Sequence, residues 1–411
     1  MNQRKLFRTI ERLTAENFQT NEELLLHVLK EIIAHETVNL TGGRLWSLSP
    51  SKKSYILVKQ LGDMAQIEDR YSLRVSENPI FYEVGKHRSI LANETNAYLR
   101  RKGIQRYSAT GVGERIKIGE QRLYQYILAL NSPSLNQELI DTMNIISSAV
   151  TSAMRNRNIA EQKRWLERDI DQAREIQRSI LPAHEHDFGP YQLFGVSFPE
   201  RIVGGDFFDY LDIGASNDRL GVVVGDAASK GLSAAIQALY ISGALKMGAS
   251  FETKINTIIK KINNLIHRTF PDERFVTLFY AELFDNKKGL CLFCNAGHNS
   301  PLHYSARTDT ITQLENTGPV LGLAPDQSFS TENINLHVND IMLIYTDGIT
   351  EAMNANKEMF GEERLSEKLL AYKHLSAKEI TQRILEDIQV YSAQAPFADD
   401  KTIVTIKRIN E

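Results

Sequence analysis

Four aspartate-containing strings occur in the second part of the chain, each at the edge of an apolar, strand-like run. They are Gly204-Gly205-Asp206-Phe207-Phe208-Asp209, Gly225-Asp226, Thr346-Asp347-Gly348 and Asp399-Asp400-Lys401-Thr402. Short apolar runs are typical of buried strands, so acids at their ends could meet on one rim of a sheet. Carboxylates that lie close together disfavour each other's ionised form, and hard divalent cations with all-oxygen ligands relieve this repulsion. The pattern therefore predicts a two-metal hydrolase that binds Mg²⁺ or Mn²⁺ rather than zinc.

The composition favours a soluble, cytoplasmic chain of two or three domains. It has 411 residues, 42% of them hydrophobic and 24% charged, with a formal net charge of −3, so no basic surface for nucleic acid is expected. The start, Met1 to Phe7, has basic residues without an apolar segment after them, and no run approaches the roughly 18 apolar residues of a membrane span.

The only cysteines, Cys291 and Cys294, lie in a strongly apolar run. A C-x-x-C string can serve redox chemistry or metal binding, but a single pair in such a run is more typical of a buried strand. Few cysteines suit a reducing cytosol.

Residues 1–155 are predicted to form one α/β domain. A helix from Asn21 to His35, with Asn21 as its N-cap, precedes strands at Gly43–Leu48 and Ser54–Val58, an irregular middle, a strand at Tyr124–Leu130 and a helix at Leu135–Met154. This order resembles a GAF sensor domain. The resemblance implies sensing of an unknown ligand or regulator, and simple dimerisation is the alternative. No cysteine is present there for thioether attachment of a bilin.

Residues 156–182 are predicted to form a charged linker helix. Ile159, Leu166, Ala173 and Ile180 recur every seven residues, whereas Gln162 and Asp169 occupy positions that a strict coiled coil fills with apolar side chains. Two interpretations stay open: an amphipathic helix packed on its neighbours, or a parallel helix of a homodimer that relays a signal. Leu181-Pro182 should end the helix, because proline breaks it.

Residues 183–411 are predicted to form the second domain, in which stacked sheets are flanked by helices. The expected strands are Tyr191–Phe198, Leu220–Val224, Val276–Phe284, Leu290–Asn295, Ile341–Tyr345 and Ile403–Lys407. The expected helices are Leu232–Met247, Thr253–Arg268, Leu365–Tyr372 and Ala377–Tyr391.

Six ordered strings give this region a specific resemblance to SpoIIE/RsbU-type protein phosphatases, bacterial members of the metal-dependent PPM (type 2C) serine/threonine phosphatases. They are Ala173-Arg174-Glu175-Ile176-Gln177-Arg178-Ser179-Ile180-Leu181-Pro182, the Gly204–Asp209 string, Asn295-Ala296-Gly297-His298-Asn299, Gly318-Pro319-Val320-Leu321-Gly322, Thr346-Asp347-Gly348-Ile349-Thr350-Glu351-Ala352 and Asp399-Asp400-Lys401-Thr402. The resemblance covers about residues 165–408. It implies an α/β fold of the αββα sandwich type with two Mn²⁺ or Mg²⁺ ions.

The resemblance also assigns the site residues. Asp206 and Asp226 would bind or bridge the metals, the Ala227 carbonyl would add an oxygen, and Asp347 and Asp399 would complete the centre. Asp209 is the second candidate in its string, with loop capping or orientation as its other role. Asp400 is interpreted as holding Asp399 or a metal-bound water.

Two metal ions would activate a shared water for in-line attack on a phosphoryl group, so no protein nucleophile is required. The leaving oxygen needs a proton from a protonated group or from metal-bound water. His298 is the histidine within these strings that could donate this proton, but the Asn-Ala-Gly-His string favours a structural role in a tight turn. Arg201 is expected to be solvated rather than phosphate-binding.

One string departs from the family pattern. Where the family commonly has Gly-Asp-Val-Ser-Gly-Lys-Gly, this chain has Gly225-Asp226-Ala227-Ala228-Ser229-Lys230-Gly231. The aspartate is retained, but Ala228-Ser229 replaces a Ser-Gly pair and reduces the backbone freedom of the turn.

The sequence thus predicts a regulated phosphoserine/phosphothreonine protein phosphatase. By resemblance, its substrate would be a phosphorylated STAS-domain anti-sigma-factor antagonist in a partner-switching pathway. The alternatives are a catalytically silent module that binds phosphoproteins and a metal-dependent hydrolase of small phosphate esters. Retention of four acids argues against the silent module.

Overall fold

The computed structural model describes residues 18–34, 40–102, 104–132, 136–214, 218–251, 253–270, 275–394 and 399–411. The chain divides into two compact units, Met1–Trp165 and Leu166–Glu411. The segment Met1 to Phe7, and the predicted helix ends at His35 and Leu135, lie outside the described residues.

The N-terminal unit contains a six-stranded antiparallel sheet with the order β3-β2-β1-β6-β5-β4. The strands are β1 (Gly42–Ser49), β2 (Ser54–Gly62), β3 (Ser72–Arg74), β4 (Ser89–Asn93), β5 (Arg106–Ile118) and β6 (Gln121–Asn131). The helices are α1 (Asn21–Ala34), α2 (Ile80–His87), α3 (Ala97–Arg101) and the start of α4 (Gln137–Ile180), with a 3₁₀ turn at Val75–Glu77.

Both faces of this sheet are covered. On one face, apolar side chains of α1 and of the first part of α4 pack against β1, β5 and β6; the cluster includes Leu25, Leu29, Leu45, Leu128, Met143 and Val150. On the other face, α2 and α3 cover a cluster that includes Trp46, Tyr55, Phe81, Val84, Leu99 and Ile127. A sheet buried on both faces explains the apolar runs that predicted β1, β2 and β6.

Two local predictions for this unit are wrong. Thr20, rather than Asn21, caps α1, because the Thr20 Oγ1 accepts the Glu23 backbone N–H at 3.1 Å. The middle of the unit is also regular, and its strand β5 is 13 residues long. Its apolar pattern is interrupted by Gly111, where a Cβ would lie 2.1 Å from the Tyr124 ring, so glycine makes room for the aromatic side chain.

The predicted exit helix and linker helix are one continuous element, α4, which ends at Ile180, just before Leu181-Pro182 as expected. Part of its seven-residue repeat is exposed: 56% for Ile159, 54% for Leu166 and 38% for Ile180. A large fraction of each of these three apolar side chains is therefore exposed.

The C-terminal unit contains two antiparallel sheets. The five-stranded sheet has the order β15-β12-β11-β10-β9, and the six-stranded sheet has the order β14-β13-β16-β17-β8-β7. The strands are β7 (Glu185–Phe188), β8 (Tyr191–Phe198), β9 (Phe207–Asp212), β10 (Arg219–Ala227), β11 (Val276–Phe284), β12 (Leu290–Ala296), β13 (Leu302–Ser305), β14 (Thr310–Gln313), β15 (Glu332–Asn335), β16 (Ile341–Tyr345) and β17 (Lys401–Arg408).

The helices of this unit are α5 (Leu232–Ala249), α6 (Ile255–Thr269), α7 (Asp347–Thr350), α8 (Gly361–Tyr372) and α9 (Ala377–Tyr391). Helices α5 and α6 pack on the five-stranded sheet, and α8 and α9 on the six-stranded sheet. A third apolar cluster joins the two sheets through residues such as Phe208, Val222, Phe279, Met342, Ile344 and Val404. These layers confirm the predicted αββα sandwich.

The cysteines lie on β12 and are buried free thiols. Cys291 belongs to the cluster between the sheets, whereas Cys294 faces α5 and α6, because residues three apart on a strand point to opposite faces. In the part of the chain that the structure describes, no helix has both the length and the apolar character needed to cross a bilayer.

Candidate metal centre

The two sheets bring the aspartates to one rim of the sandwich. Asp206 immediately precedes β9 and Asp226 lies near the end of β10; these strands are antiparallel, with Phe207 opposite Gly225. Asp347 follows β16 and Asp399 precedes β17, and Tyr345 is opposite Ile403 in that pair. Each antiparallel pair thus carries both of its acids at the same end.

The electrostatics show that these carboxyl groups influence one another. Burial, followed by the negative charge of Asp226, raises the pKa of Asp206 well above its usual value. Burial, then Asp347 and Asp399, raises the pKa of Asp226 to about 7. Burial, followed by Asp399, also raises the pKa of Asp347. The ionised form of these carboxyl groups is therefore disfavoured, because burial and neighbouring acids both oppose it.

Asp400 organises the loop that carries Asp206. Its Oδ1 accepts the Glu200 backbone N–H at 2.6 Å, and its Oδ2 accepts the backbone N–H groups of Gly205 at 2.6 Å and Asp206 at 3.3 Å. The carboxylate is thereby committed to backbone donors. Asp400 is a positioning residue that ties the first aspartate string to the last.

The glycines of these strings allow close approach to Asp400. A Cβ on Gly204 would lie 2.3 Å from the Asp400 carboxylate, and one on Gly348 would lie 1.9 Å from the Asp400 backbone oxygen. A side chain at either position would push the strings apart. Packing around Asp400 therefore gives a physical reason for glycine in both Gly204-Gly205-Asp206 and Thr346-Asp347-Gly348.

Two further positioning residues were quoted in the strings but given no role from sequence. Thr346 donates through Oγ1 to Asp206 Oδ2 at 2.6 Å and accepts the Thr402 backbone N–H at 2.9 Å. Gln177 of α4 donates to the Gly204 carbonyl at 2.8 Å and accepts the Gly204 N–H at 3.4 Å. In the sequence, the only indication of these roles is that Thr346 and Gln177 lie within the motif strings.

A lysine lies beside the acids. Lys230, from the turn that follows β10, has its Nζ 3.3 Å from Asp399 Oδ2 and 3.4 Å from Glu200 Oε2. Its side chain is half exposed, so these ion pairs are individually weak. It nevertheless places a positive charge at the outer edge of the acidic rim.

Asp209 has different partners from Asp206, although both belong to one string. Its Oδ2 is 2.9 Å from Lys246 Nζ and accepts the Ser242 hydroxyl at 3.0 Å, and its Oδ1 accepts the Tyr210 N–H. Both side-chain partners belong to α5. The structure therefore gives Asp209 a role in holding α5 against β9.

His298 is buried and held by local hydrogen bonds. Its backbone N–H donates to Asn295 Oδ1 at 2.8 Å, and its Nδ1 is 2.9 Å from Thr277 Oγ1. Burial lowers the pKa of His298 to about 4, with a smaller opposing effect of the Tyr345 backbone. A neutral imidazole in this setting is suited to a structural role rather than to donating a proton at neutral pH.

The departure in the turn after β10 is accommodated. The Ala227 carbonyl accepts the Ser229 N–H at 2.6 Å, and the Ala228 N–H donates to Phe275. The left-handed backbone position lies at Gly231, with a φ of 71°, where glycine is retained. Ala228 and Ser229 therefore need no glycine-like conformation.

The donor set suits a hard divalent cation, since it consists of carboxylates whose repulsion such an ion would relieve. Within the described ranges, however, no group of three or more His, Cys, Asp or Glu side chains is already arranged as a metal-binding cluster. The chemistry of the rim thus fits a divalent metal ion.

Comparison with known proteins supports a phosphatase domain. Residues 216–409 match the family model described as Stage II sporulation protein E (SpoIIE). Protein IcfG of Synechocystis sp. is 28% identical over 268 residues, which are 58% of this chain and 41% of that protein. Phosphoserine phosphatase RsbU of Bacillus subtilis is 21% identical over 298 residues, which are 70% of this chain and 85% of that protein.

A solved structure shows the same fold. The SiaA-PP2C domain of Pseudomonas aeruginosa matches with a TM-score of 0.52 at 18% identity, covering 61% of this chain and 100% of that domain. The family match and the relatives together support a SpoIIE/RsbU-type PP2C domain in the C-terminal unit and a protein serine/threonine phosphatase.

Proposed function

We propose that residues 183–411 hydrolyse phosphoserine or phosphothreonine in a protein, in a metal-dependent reaction. The observation that carries this proposal is the gathering of four acids from two sheets, in which burial and neighbouring acids raise the pKa values of Asp206, Asp226 and Asp347. Such an arrangement is unfavourable for folding, which is typical of a site retained for its chemistry.

Asp206, Asp226, Asp347 and Asp399, with the Ala227 carbonyl, are the proposed ligands of two Mn²⁺ or Mg²⁺ ions. When bound, these ions supply an activated water and compensate the phosphoryl charge. Other side chains of the protein position these ligands: Asp400 holds the loop of Asp206, and Thr346 orients the Asp206 carboxylate. The proton donor to the leaving group is not assigned to His298, because His298 is buried and neutral.

The proposed substrate is a phosphorylated STAS-domain anti-sigma-factor antagonist, as the family resemblance implies. The similarity to an RsbU named as a phosphoserine phosphatase supports this class of substrate. We expect the protein to act in the cytoplasm within a partner-switching pathway.

Residues 1–155 are proposed to be a GAF-like sensor, and residues 156–182 a linker helix that carries its state to the phosphatase. The six-stranded sheet covered by helices supports a sensor fold. The exposed apolar side chains Ile159 and Leu166 support pairing of linker helices in a homodimer. A change in turnover, with metal dependence intact, is expected when residues 1–160 are removed.

The test is Mn²⁺-dependent phosphate release from a phosphoserine STAS-domain protein by the full chain. Asp226→Asn should abolish release, whereas Asp187→Asn, at an exposed position on β7, should not. Release by Asp226→Asn at the normal rate would contradict the assigned site. Metal-independent binding of the phosphoprotein without release would favour the silent-module alternative, and preference for small phosphate esters would favour a small-molecule hydrolase.

A further inference from the structure

The N-terminal unit contains a cavity between the sheet and helices α2 and α3. Its walls leave about 570 Å³ that no atom fills, partly continuous with solvent, and the centre of a water-sized sphere can occupy about 50 Å³ of it. At roughly 10–15 Å³ for each water, this is room for about three to five water molecules or a compact ligand. Most of the wall is apolar, with Trp46, Leu73, Phe81, Val84 and Ile127 among its residues.

Arg44 of β1 lines this cavity and is 2% exposed. Its Nη1 donates to Asn131 Oδ1 at 3.0 Å and its Nη2 to the Ala65 carbonyl at 2.8 Å. Its Nε is buried and has no hydrogen-bond partner among the described residues. A guanidinium group with an unused buried N–H is costly in an apolar wall, because the desolvated donor gains nothing in return.

Glu94 is the carboxylate that also lines the cavity, and the hydrogen bonds of the Arg44 guanidinium go to Asn131 and Ala65 rather than to Glu94. Its Oε1 accepts the Asn96 backbone N–H at 2.8 Å. Burial raises the pKa of Glu94, and burial lowers the pKa of Arg44 to about 10 against the opposing charge of Glu94. The cavity therefore holds a positive group and an acid that do not satisfy each other.

We propose that this cavity binds a small monocarboxylate with a compact apolar or aromatic body. The ligand carboxylate accepts the Arg44 Nε–H, and its body packs against Phe81, Val84 and Ile127. Guanidinium groups form strong, charge-assisted hydrogen bonds with carboxylates, which supplies the missing partner. A dicarboxylate is disfavoured, because its second charge would be desolvated next to Glu94.

This site is separate from the acidic rim of the C-terminal unit, and the inference does not depend on phosphatase activity. A small anion at this place would fill apolar space between the sheet, α2 and α3, and so would stabilise the N-terminal unit in proportion to its affinity. Binding is accordingly the readout that tests it.

The experiment is calorimetric titration of the full chain with benzoate, the neutral analogue benzamide and the dianion phthalate. Benzoate should bind more tightly than both others. Arg44→Gln should weaken benzoate binding about tenfold to a hundredfold, the range expected for a lost charged hydrogen bond. Ala129→Leu, which adds a larger side chain to the cavity wall, should also abolish binding while it leaves Arg44 in place.

Arg122→Gln is the matched control, because Arg122 is an exposed arginine on β6. Circular dichroism of each variant identifies any that fail to fold, and Ala129→Leu keeps the test valid if Arg44→Gln unfolds. The proposal is overturned if benzoate does not bind, if benzamide binds equally well, or if the folded cavity variants bind like the parent chain.

Discussion

Replacing Asp226 by asparagine should stabilise the metal-free protein at pH 8 while it removes phosphatase activity. Asparagine is close to aspartate in size and cannot ionise. In the folded chain, burial and the charges of Asp347 and Asp399 raise the pKa of Asp226 from 3.8 to about 7. At pH 8 the wild-type chain must therefore carry a buried carboxylate among other acids, whereas the variant does not.

The size of the effect follows from the same pKa difference. An acid whose pKa is higher in the folded state than in the unfolded state makes the folded protein less stable as the pH rises from the unfolded pKa to the folded pKa. From 3.8 to about 7, this corresponds to a ceiling of about 4 kcal/mol at 1.36 kcal/mol per pKa unit. Loss of the interaction with Asp206 in the variant reduces the gain, so we expect about 1–3 kcal/mol at pH 8 and less at pH 5.

The assay is urea unfolding in EDTA at pH 5 and pH 8, with hydrogen exchange of β10 as the local probe. Tryptophan fluorescence is unsuitable, because both tryptophans, Trp46 and Trp165, lie in the N-terminal unit. Hydrogen exchange distinguishes opening of the C-terminal sheet from opening elsewhere in a two-unit chain. Asp187→Asn is the control for charge removal at an exposed site.

The reasoning is refuted if Asp226→Asn lowers protection of β10 at pH 8, or if the wild type and the variant lose stability equally between pH 5 and pH 8. With Mn²⁺ present, the wild-type chain should be more stable than the Asp226→Asn variant. A bound cation stabilises the folded state in proportion to its affinity, and the variant lacks one of the proposed ligands. An equal gain from Mn²⁺ in both proteins would exclude Asp226 as a metal ligand.

Three further substitutions test the positioning of the acids. Asp400→Asn should lower turnover about 10–100-fold with an unchanged circular dichroism spectrum, because it replaces a carboxylate oxygen that accepts backbone N–H groups. Gly348→Ala should lower the thermal midpoint by an amount equivalent to about 1–3 kcal/mol of overpacking, whereas Gly243→Ala, where a Cβ meets open space, should be neutral or stabilising. Lys246→Met should destabilise the protein by about 1–3 kcal/mol in urea unfolding, because it leaves the buried Asp209 without its cation. The loss of stability should be larger at pH 8 than at pH 5. Mn²⁺ affinity measured by titration should be unchanged.

The strands predicted best from the sequence are those in which most consecutive residues are apolar and buried. Tyr191–Phe198, Val276–Phe284 and Ile341–Tyr345 have the bounds expected from their apolar runs. Strand β9, in contrast, was missed, because Asp209 interrupts its pattern with a buried acid. That acid is compatible with the strand only through Lys246 and Ser242, which lie more than 30 residues further along the chain.

The roles of adjacent acids were likewise decided by partners that are distant in sequence. Asp206 and Asp209 share one string, yet Thr346 orients the first and α5 holds the second. The sequence by itself determined which residue types are available, where the apolar strands run and which family the strings resemble. Only the tertiary structure decided which carboxylates share a rim and which are neutralised by other side chains. The physical reason is that pKa and hydrogen bonding depend on distance and burial in space, and strand pairing brings together residues that the chain separates.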